Sequence, residues 1–346
     1  MPLNILVTGG AGYIGSHTTL ALLQAGHKVV VFDNLSNSSR ESISRVTTLA
    51  GRAPFFVMGD IRDSSLLRHV LVEHEVDAVM HFAGLKAVGD SVLHPLSYYD
   101  NNVVGSVQLF QAMQAAGIYR IVFSSSATVY GEAEHIPISE ATRLGVPTNP
   151  YGWSKWMVEN CLQDLARSDA RWRIAVLRYF NPGGAHPSGM IGEDPHGTPN
   201  NLLPYIAQVA AGRRTHLQIF GDDYPTSDGT GVRDYIHVVD LAEGHLCALK
   251  ALEKLSGVGV WNLGTGQGTT VLEALHAFEK VSERAVPYKV VPRRPGDIAE
   301  CWANPEKARL ELGWSAKRGI TEIMIDAWRW QSGNPFGYRS EDGDSA

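Results

Sequence analysis

Cysteine is scarce in this sequence of 346 residues. The three that occur, Cys161, Cys247 and Cys301, are far apart, so they match neither the close spacing of a zinc site nor the even number of a disulfide framework. A strand-like segment begins at Asn4 and leaves no room for a signal peptide before it. These absences predict a reducing, cytoplasmic location.

Metal-binding spacings, long apolar runs and blocks of like charge are also missing. None of the 13 histidines forms an HxH or HExxH pattern, so no catalytic metal is expected. No apolar run is long enough to cross a bilayer, so no membrane association is expected. The formal net charge is −6 without a basic stripe, which argues against nucleic acid as a partner. With 44% apolar residues, the chain is predicted to fold as one large domain or two coupled ones.

In residues 1–181, short β-branched runs alternate with longer helical patterns. Several of the runs are continuously apolar, which is typical of strands buried on both faces of a parallel sheet. The repeated strand–helix–strand units predict an α/β fold with a doubly wound, Rossmann-type sheet. The predicted strands are 4–8, 28–33, 55–58, 78–82, 120–124 and 174–179, and the predicted helices are 13–25, 64–74, 96–116 and 151–166.

After residue 181 the pattern becomes mixed. Residues 182–201 are rich in proline and glycine and predict a long, functional or mobile loop. We interpret residues 182–338 as a smaller, mixed substrate-binding lobe from which some elements return to the sheet, and 339–346 as a frayed tail. The helices predicted in this lobe are 202–211, 241–255, 271–281 and 320–330, and the strands are 217–220 and 260–263.

A glycine-rich turn follows the first predicted strand and begins the first helix. Gly9, Gly12 and Gly15 are spaced three apart, which suits a tight turn, a close approach to a pyrophosphate and close helix–strand packing. The backbone N–H groups of Gly12, Tyr13 and Ile14 would then face the phosphates at the positive end of the helix. The turn predicts a dinucleotide site.

An acidic residue defines the nucleotide that this site would take. Asp33 ends the second strand 18 residues after Gly15, where its carboxylate would accept from the ribose hydroxyls of NAD and repel the 2′-phosphate of NADP. The stretches 60–61 and 82–86 come after the third and fourth strands, at the same sheet edge. Asp60 could accept from the adenine amino group, and Ala83-Gly84 could pass close under the cofactor.

A tyrosine and a lysine at i and i+4 suggest the catalytic centre. Tyr151 and Lys155 would share one helix face, and a serine run, 124–126, ends the fifth strand at the same edge. A free phenol has a pKa near 10, so it needs nearby positive charge to act as a base. Lys155 and the nicotinamide ring would favour the phenolate, and Ser126 would bridge it to the substrate.

These residues, with further stretches in order, resemble the extended short-chain dehydrogenase/reductase superfamily. Within it, the chain is similar to the UDP-glucose 4-epimerase family from Val7 to about Tyr338. The stretches that carry the resemblance are GYIG at 12–15, DNLSNS at 33–38, HFAGLKAV at 81–88, YYDNN at 98–102, SSSATVYG at 124–131, RYFNP at 178–182, YPT at 224–226, GVRDYIH at 231–237 and RRPGD at 293–297.

The resemblance implies a reaction of galactose metabolism without net oxidation. Tyr151 takes the proton of the sugar 4-hydroxyl, a hydride passes to tightly held NAD, and the 4-keto sugar turns before the hydride returns to its other face. UDP-glucose and UDP-galactose are thereby interconverted. A homodimer through helices 96–116 and 151–166 is also implied.

The predicted sites follow from the motifs and the resemblance together. The catalytic residues are Tyr151, Lys155 and Ser126. The cofactor-binding residues are Gly9, Gly12, Tyr13, Ile14, Gly15, Asp33, Asn34, Leu35, Ser36, Asn37, Ser38, Asp60, Ile61, Phe82, Ala83, Gly84, Leu85, Lys86, Asn101, Ser126, Tyr151, Lys155 and Phe180. The substrate-binding residues are Ser126, Tyr151, Asn181, Asn201, Gln218, Ile219, Phe220, Arg233, Arg294, Asp297 and Cys301.

Other functions share parts of this pattern. A nucleotide-sugar 4,6-dehydratase has the same fold and tyrosine–lysine pair but needs an added Asp-Glu acid–base pair, where this chain has Ala127 and Thr128. A non-catalytic NAD-sensing protein would need no activated phenol. In some members of the family a bulky tyrosine stands where this chain has Cys301, so the smaller thiol predicts room for an N-acetyl group and turnover of UDP-N-acetylglucosamine as well.

Overall fold

Strands and helices alternate along the computed structural model, which describes residues 2–195, 197–294 and 296–339. Numbered along the chain, the strands are β1 (Asn4–Thr8), β2 (Lys28–Asp33), β3 (Phe55–Met58), β4 (Ala78–His81), β5 (Arg120–Ser126), β6 (Arg173–Tyr179), β7 (Asn181–Gly183), β8 (Leu217–Phe220), β9 (Val232–Arg233), β10 (Tyr235–His237), β11 (Gly257–Leu263), β12 (Thr269–Thr270), β13 (Tyr288–Val291) and β14 (Glu300–Cys301). The α-helices are α1 (Tyr13–Gln24), α2 (Arg40–Ala50), α3 (Ser64–Glu73), α4 (Val88–Leu93), α5 (Pro95–Tyr98), α6 (Gly105–Ala115), α7 (Pro150–Ser168), α8 (Leu202–Ala210), α9 (Val238–Ala251), α10 (Val271–Ser282) and α11 (Ile320–Gly333).

The central sheet has seven strands in the order β11-β6-β5-β4-β1-β2-β3, and every neighbouring pair is parallel. The strands that the sequence predicts in residues 1–181 are all present in this sheet, with ends within two residues of the prediction. The order reverses between β1 and β4, which is where an open α/β sheet binds its ligands. The predicted doubly wound α/β fold is confirmed.

Each face of the sheet is covered by helices. Ile5 and Val7 of β1 lie in a buried core with side chains of α1 and α9, whereas Leu6 lies in a second core with side chains of α3, α6 and α7. All three β1 side chains have no exposed surface. This alternation of two buried faces explains why the strands appear in the sequence as continuously apolar runs.

Several helices differ from the prediction: α2 and α4 were not predicted, and the helix predicted at 241–255 is α9 (Val238–Ala251). The predicted helix 96–116 contains a π-helical turn, Tyr99–Val104, between α5 and α6. Such turns are often found at functional sites, and this one carries Asn101 and Asn102. The sequence analysis missed α2, although Ile43 and Val46 are three residues apart and both lie in the core. Its two ends are capped, since Ser39 accepts from the N–H of Glu41 and Gly51 is left-handed at φ +67°.

The chain returns to the central sheet after residue 181. The strand predicted at 260–263 is β11, which is longer than expected and pairs with β6 as the seventh strand of the sheet. Helices α8, α10 and α11 pack around a separate core that includes Ile206, Phe278 and Ile323. The division at residue 181 stays a prediction, and most of the predicted frayed tail lies outside the described residues. Over the described ranges, the structure has no helix long and apolar enough to cross a membrane.

Candidate active site

Glycines allow three backbone segments to meet at the turn between β1 and α1. A Cβ atom on Gly9, whose φ is +69°, would lie 2.6 Å from the amide nitrogen of Ala83. A Cβ atom on Gly15 would lie 2.2 Å from the carbonyl oxygen of Gly9. A Cβ atom on Gly12 would approach that same oxygen only to 3.3 Å. The turn therefore closes tightly behind Gly9 and Gly15 but is more open at Gly12.

The start of α1 fits a phosphate group. Its N-cap is Gly12, which makes no side-chain cap hydrogen bond. The first N–H groups of a helix have no acceptor within the helix, and the helix dipole adds positive partial charge at this end. A pyrophosphate could accept from these N–H groups without meeting a side chain at Gly12. The turn thus fits the dinucleotide that the sequence predicts.

Asp33 lies at the end of β2, on the other side of the turn. Its Oδ2 accepts from the N–H of Ala11 at 3.0 Å, and its Oδ1 accepts from the N–H of Leu35 at 2.9 Å and from Ser38 Oγ at 2.8 Å. A carboxylate has about four acceptor positions, so these bonds leave one for a ribose hydroxyl. Residues 34–38 form the loop that follows, and the cofactor role of this loop stays a prediction.

Asp60, for which the sequence predicts a contact with the adenine amino group, is hydrogen-bonded to two neighbouring residues. Its two oxygens accept from the backbone N–H, Nε and Nη2 of Arg62 and from Asn34 Nδ2, at 2.8–3.0 Å. These hydrogen bonds from Arg62 hold the pKa of the Asp60 carboxyl well below its usual range. A bond from an adenine amino group would have to share one of these oxygens or replace one of these donors, and the cofactor role of Asp60 stays a prediction. The neighbouring Ile61 is buried in the core.

The predicted cofactor loop after β4 is held by a residue that the sequence analysis did not select. Asn102 Oδ1 accepts from the N–H of Leu85 at 2.7 Å, and its Nδ2 donates to the carbonyl of Leu85 and to Ser154 Oγ at 2.9 and 3.0 Å. Asn101 Nδ2 also donates to Asn102 Oδ1. A Cβ atom on Gly84 would lie 3.3 Å from that Oδ1. Asn102 thus joins the loop to helix α7. The sequence offered one signal for this residue, since it lies beside Asn101 in the stretch 98–102 that carries the resemblance.

The three residues predicted to be catalytic meet at the end of β5. Lys155 Nζ donates to the carbonyl of Ser124 at 2.8 Å and lies 5.9 Å from the centroid of the Tyr151 ring. The side chain of Ser126 faces the Tyr151 phenol and lowers its pKa. Thr128 Oγ1 donates to Ser126 Oγ at 3.0 Å. A serine, a tyrosine and a lysine in this arrangement can transfer a proton to and from a bound hydroxyl.

Burial acts against the charges that this chemistry needs. It raises the pKa of Tyr151 to about 12, and the neighbouring Ser126 side chain acts the other way. Burial also lowers the pKa of Lys155 to about 8, while the charge of Glu159 raises it. The protein groups therefore favour the neutral phenol. The phenolate expected from the sequence needs a further positive charge, which that expectation assigned to the nicotinamide ring.

Two short strands place predicted substrate residues beside the catalytic centre. Cys301 in β14 pairs in register with Arg233 in β9. Cys301 is buried in a cluster with Ala127 and Phe180, and Ala127 directly follows Ser126. The sulfur that the sequence assigned to the sugar pocket therefore lies next to the turn that carries the catalytic serine.

A second group of predicted substrate residues includes strand β8 and an arginine stacked on its Phe220. Arg294 Nε donates to Asp297 Oδ2 at 3.0 Å, and its guanidinium carbon lies 4.4 Å from the centroid of the Phe220 ring. Gln218, on the same strand, is exposed. Ile219 has its side chain in the core, so it can offer a ligand only its backbone. The structure thus brings the arginine, the carboxylate and the strand together, as the resemblance implies.

Glu193 joins the predicted cofactor and substrate residues, and no sequence pattern identified it. Its Oε1 accepts from Lys86 Nζ at 2.7 Å and from Asn201 Nδ2 at 2.8 Å. Asn201 is the N-cap of α8 but makes no side-chain cap bond there. Asn181, at the start of β7, donates its N–H to the carbonyl of Asp234. Glu193 lies in the irregular segment between β7 and α8, where spacing carries no signal.

His81 in β4 has a structural role. Its Nδ1 is 2.7 Å from Thr8 Oγ1 and its Nε2 is 2.9 Å from Ser106 Oγ. Burial lowers its pKa to about 3. His81 is therefore a neutral, hydrogen-bonded residue of the core.

Fold and site together define a Rossmann-type enzyme of the short-chain dehydrogenase/reductase class. A family model described as GDP-mannose 4,6 dehydratase matches residues 6–327. The UDP-glucose 4-epimerase of Bacillus subtilis (strain 168) is 59% identical over 336 residues, which cover 97% of this chain and 99% of that protein. The chain belongs to the UDP-glucose 4-epimerase family, as its sequence motifs predict.

Solved structures agree with this placement. The UDP-glucose 4-epimerase of Bifidobacterium longum, solved in complex with NAD+ and UDP, is 50% identical with a TM-score of 0.95 and covers 96% of this chain and 99% of its own. A Campylobacter jejuni protein described as a UDP-Glc/GlcNAc 4-epimerase is 37% identical with a TM-score of 0.83, and covers 96% of this chain and 99% of its own.

The glycine turn generates a first prediction. In Gly15→Ala, the added methyl would collide with the Gly9 carbonyl, so we expect the turn to move and the amount of NAD purified with the protein to fall at least tenfold. The measurement is the absorbance of nucleotide released by acid. Gly89→Ala is the matched control, because a Cβ atom there meets nothing within 4 Å. Equal NAD content in the two variants would contradict the assignment of the turn.

Proposed function

We propose that this protein is an NAD-dependent UDP-glucose 4-epimerase that interconverts UDP-glucose and UDP-galactose. The observation that carries the proposal is the meeting of Ser126, Tyr151 and Lys155 at the sheet edge that also carries the glycine turn. Full-length relatives of more than 50% identity that carry this activity in their names support it.

The chain's own residues supply binding and proton transfer. The N–H groups at the start of α1 and the carboxylate of Asp33 would hold NAD, which when bound accepts a hydride from sugar C4 and later returns it. Tyr151 Oη takes the proton of the sugar 4-hydroxyl, directly or through Ser126 Oγ, and later returns it. Lys155 stabilises the phenolate by its charge.

The substrate side is proposed on chemical complementarity. Two arginines, Arg233 and Arg294, suit a diphosphate, because a guanidinium binds phosphate oxygens with paired N–H groups. Asp297 beside Arg294 and the exposed Gln218 suit the hydroxyl and amide groups of a ribose and a uracil. Asn181 and Asn201 would bind the sugar and the remaining polar groups. The turn after β5 carries Ala127 and Thr128, which do not titrate near neutral pH, so elimination by a dehydratase lacks its acid and base.

A substitution of the proposed base tests the function. After removal of unbound nucleotide, the parent protein should convert UDP-galactose without added NAD or NADP. In Tyr151→Phe we expect bound NAD to be kept and turnover to fall about 10²- to 10⁴-fold, the usual loss for one positioned acid–base group. An inactive parent would overturn the epimerase proposal, and a variant within threefold of an active parent would overturn the role of Tyr151.

Cys301 supports a broader substrate range. A thiol has several fewer heavy atoms than a phenol ring, and a pocket that rejects a substrate by steric clash is relaxed by the smaller residue. We expect the parent protein to epimerise UDP-N-acetylglucosamine, and Cys301→Tyr to lose this activity at least tenfold while UDP-galactose turnover survives. Both substrates are assayed on both proteins. A parent without N-acetyl activity would contradict the proposal, and equal loss of both activities would indicate a damaged pocket instead.

A homodimer is proposed through the helices on one side of the sheet. The apolar side chains of Leu93 and Leu96 are 75% and 80% exposed, and Val104 and Met157 are also exposed on these helices. A second copy of the chain would cover this apolar area, which is the occupant that the resemblance implies. We expect a dimer by light scattering at micromolar concentration and a monomer for Leu96→Asp. A monomeric parent would remove the proposal.

The three free cysteines support a reducing compartment, the cytoplasm.

A further inference from the structure

A buried ion pair lies one helical turn beyond the catalytic lysine. Glu159 on α7 and Arg178 on β6 have side chains only 6% exposed each. Arg178 Nε donates to Glu159 Oε1 at 3.0 Å, and its Nη2 donates to Oε2 at 2.6 Å. Ser125 Oγ also donates to Glu159 Oε1. A buried carboxylate is stable only when it is paired in this way, so the pair ties α7 to the sheet.

Glu159 is also part of the row that carries the catalytic pair. Tyr151, Lys155 and Glu159 are spaced four apart and lie along one face of α7. Lys155 Nζ binds the carbonyl of Ser124 while Glu159 binds the hydroxyl of Ser125, the next residue of β5. The carboxylate and the ammonium thus contact consecutive residues of the same strand.

We infer that Glu159 is a positioning residue for the proposed epimerisation, which fixes the catalytic helix on the sheet and balances the charge of the Lys155 ammonium beside Tyr151. The inference rests on the proposed function only for its effect on turnover. Burial alone lowers the pKa of Lys155, and Glu159 is the charge that raises it. A neutral Lys155 could not stabilise a phenolate at Tyr151.

The other titratable groups around the pair are accounted for. From β4, the buried His81 faces Lys155, but burial keeps it neutral. From β6 come Arg178 and Tyr179, and burial holds the pKa of Tyr179 well above its usual range. From the turn after β5, Tyr130 accepts from Arg178 Nη1 at 3.0 Å and donates to Asn262 at 2.7 Å. The charge of Glu140 raises the pKa of Tyr130.

Charge and position can be separated by two substitutions of Glu159. Glu159→Gln keeps the length of the side chain but removes the charge, whereas Glu159→Asp keeps the charge on a shorter side chain. The titration of Lys155 is followed by NMR of ¹³Cε-labelled lysine, with its signal assigned by its loss in Lys155→Met. The pH dependence of kcat with UDP-galactose is measured on the same proteins.

In Glu159→Gln we expect the pKa of Lys155 and the alkaline limb of kcat to move to lower pH by about one unit, because loss of a neighbouring negative charge disfavours the ammonium. Glu159→Asp should keep both near the parent values even if it lowers the melting temperature. A merely structural role would lower the melting temperature in both variants without moving the titration. That result would overturn the inference.

A folding defect and a failure of the proposed function can be recognised. If the Gln variant does not fold because Arg178 is left unpaired, the double variant Glu159→Gln/Arg178→Gln, which removes both charges, takes its place. The pKa of Lys155 in the double variant should still lie below the parent value. An unchanged pKa there would overturn the inference. If the parent does not convert UDP-galactose but the NMR titration shifts as expected, the proposed function fails and the charge coupling of Glu159 to Lys155 stands.

Discussion

Parallel hydrogen bonding between β5 and its neighbours β4 and β6 is the constraint on which the site depends. His81 lies opposite Phe123, and Ser126 lies opposite Tyr179, so the carboxyl ends of the three strands reach the same edge. The loop after β4, the turn after β5 and the segment after β6 therefore leave the sheet side by side. Residues that are about a hundred positions apart in the chain become neighbours because parallel strands require long crossover connections.

The catalytic centre combines precise position with unfavourable burial. Helix α7 brings Tyr151 and Lys155 to the edge of the sheet, and Asn102 joins the same helix to the predicted cofactor loop after β4. Burial makes both charged forms costly, since it raises the pKa of the phenol and lowers that of the ammonium. Burial therefore keeps the phenol of Tyr151 neutral until an added positive charge changes the balance, which suits a base that must act only when its cofactor is bound.

The cofactor and substrate sides are also joined directly. Glu193 accepts from Lys86 on one side and from Asn201 on the other, and Trp330 of α11 donates to its backbone carbonyl. On the sugar side, Cys301 and Ala127 share one buried cluster. The irregular segment after β7, which the sequence predicts to be a long functional or mobile loop, is therefore bound at several points to both parts of the molecule.

The sequence by itself determined the strands of the parallel sheet, the glycine turn, Asp33 and the pair Tyr151 and Lys155, because periodicity and short spacings are local properties. Tertiary structure decided what spacing cannot report. The strand at 257–263 pairs with β6 in the main sheet. Spacing could not report this pairing, because the two strands are far apart in sequence. Asp60 is hydrogen-bonded to Arg62 and Asn34, contacts that the sequence pattern does not reveal. Asn102, Glu193 and the Glu159–Arg178 pair act through contacts between distant segments, and these exist only once the chain has folded.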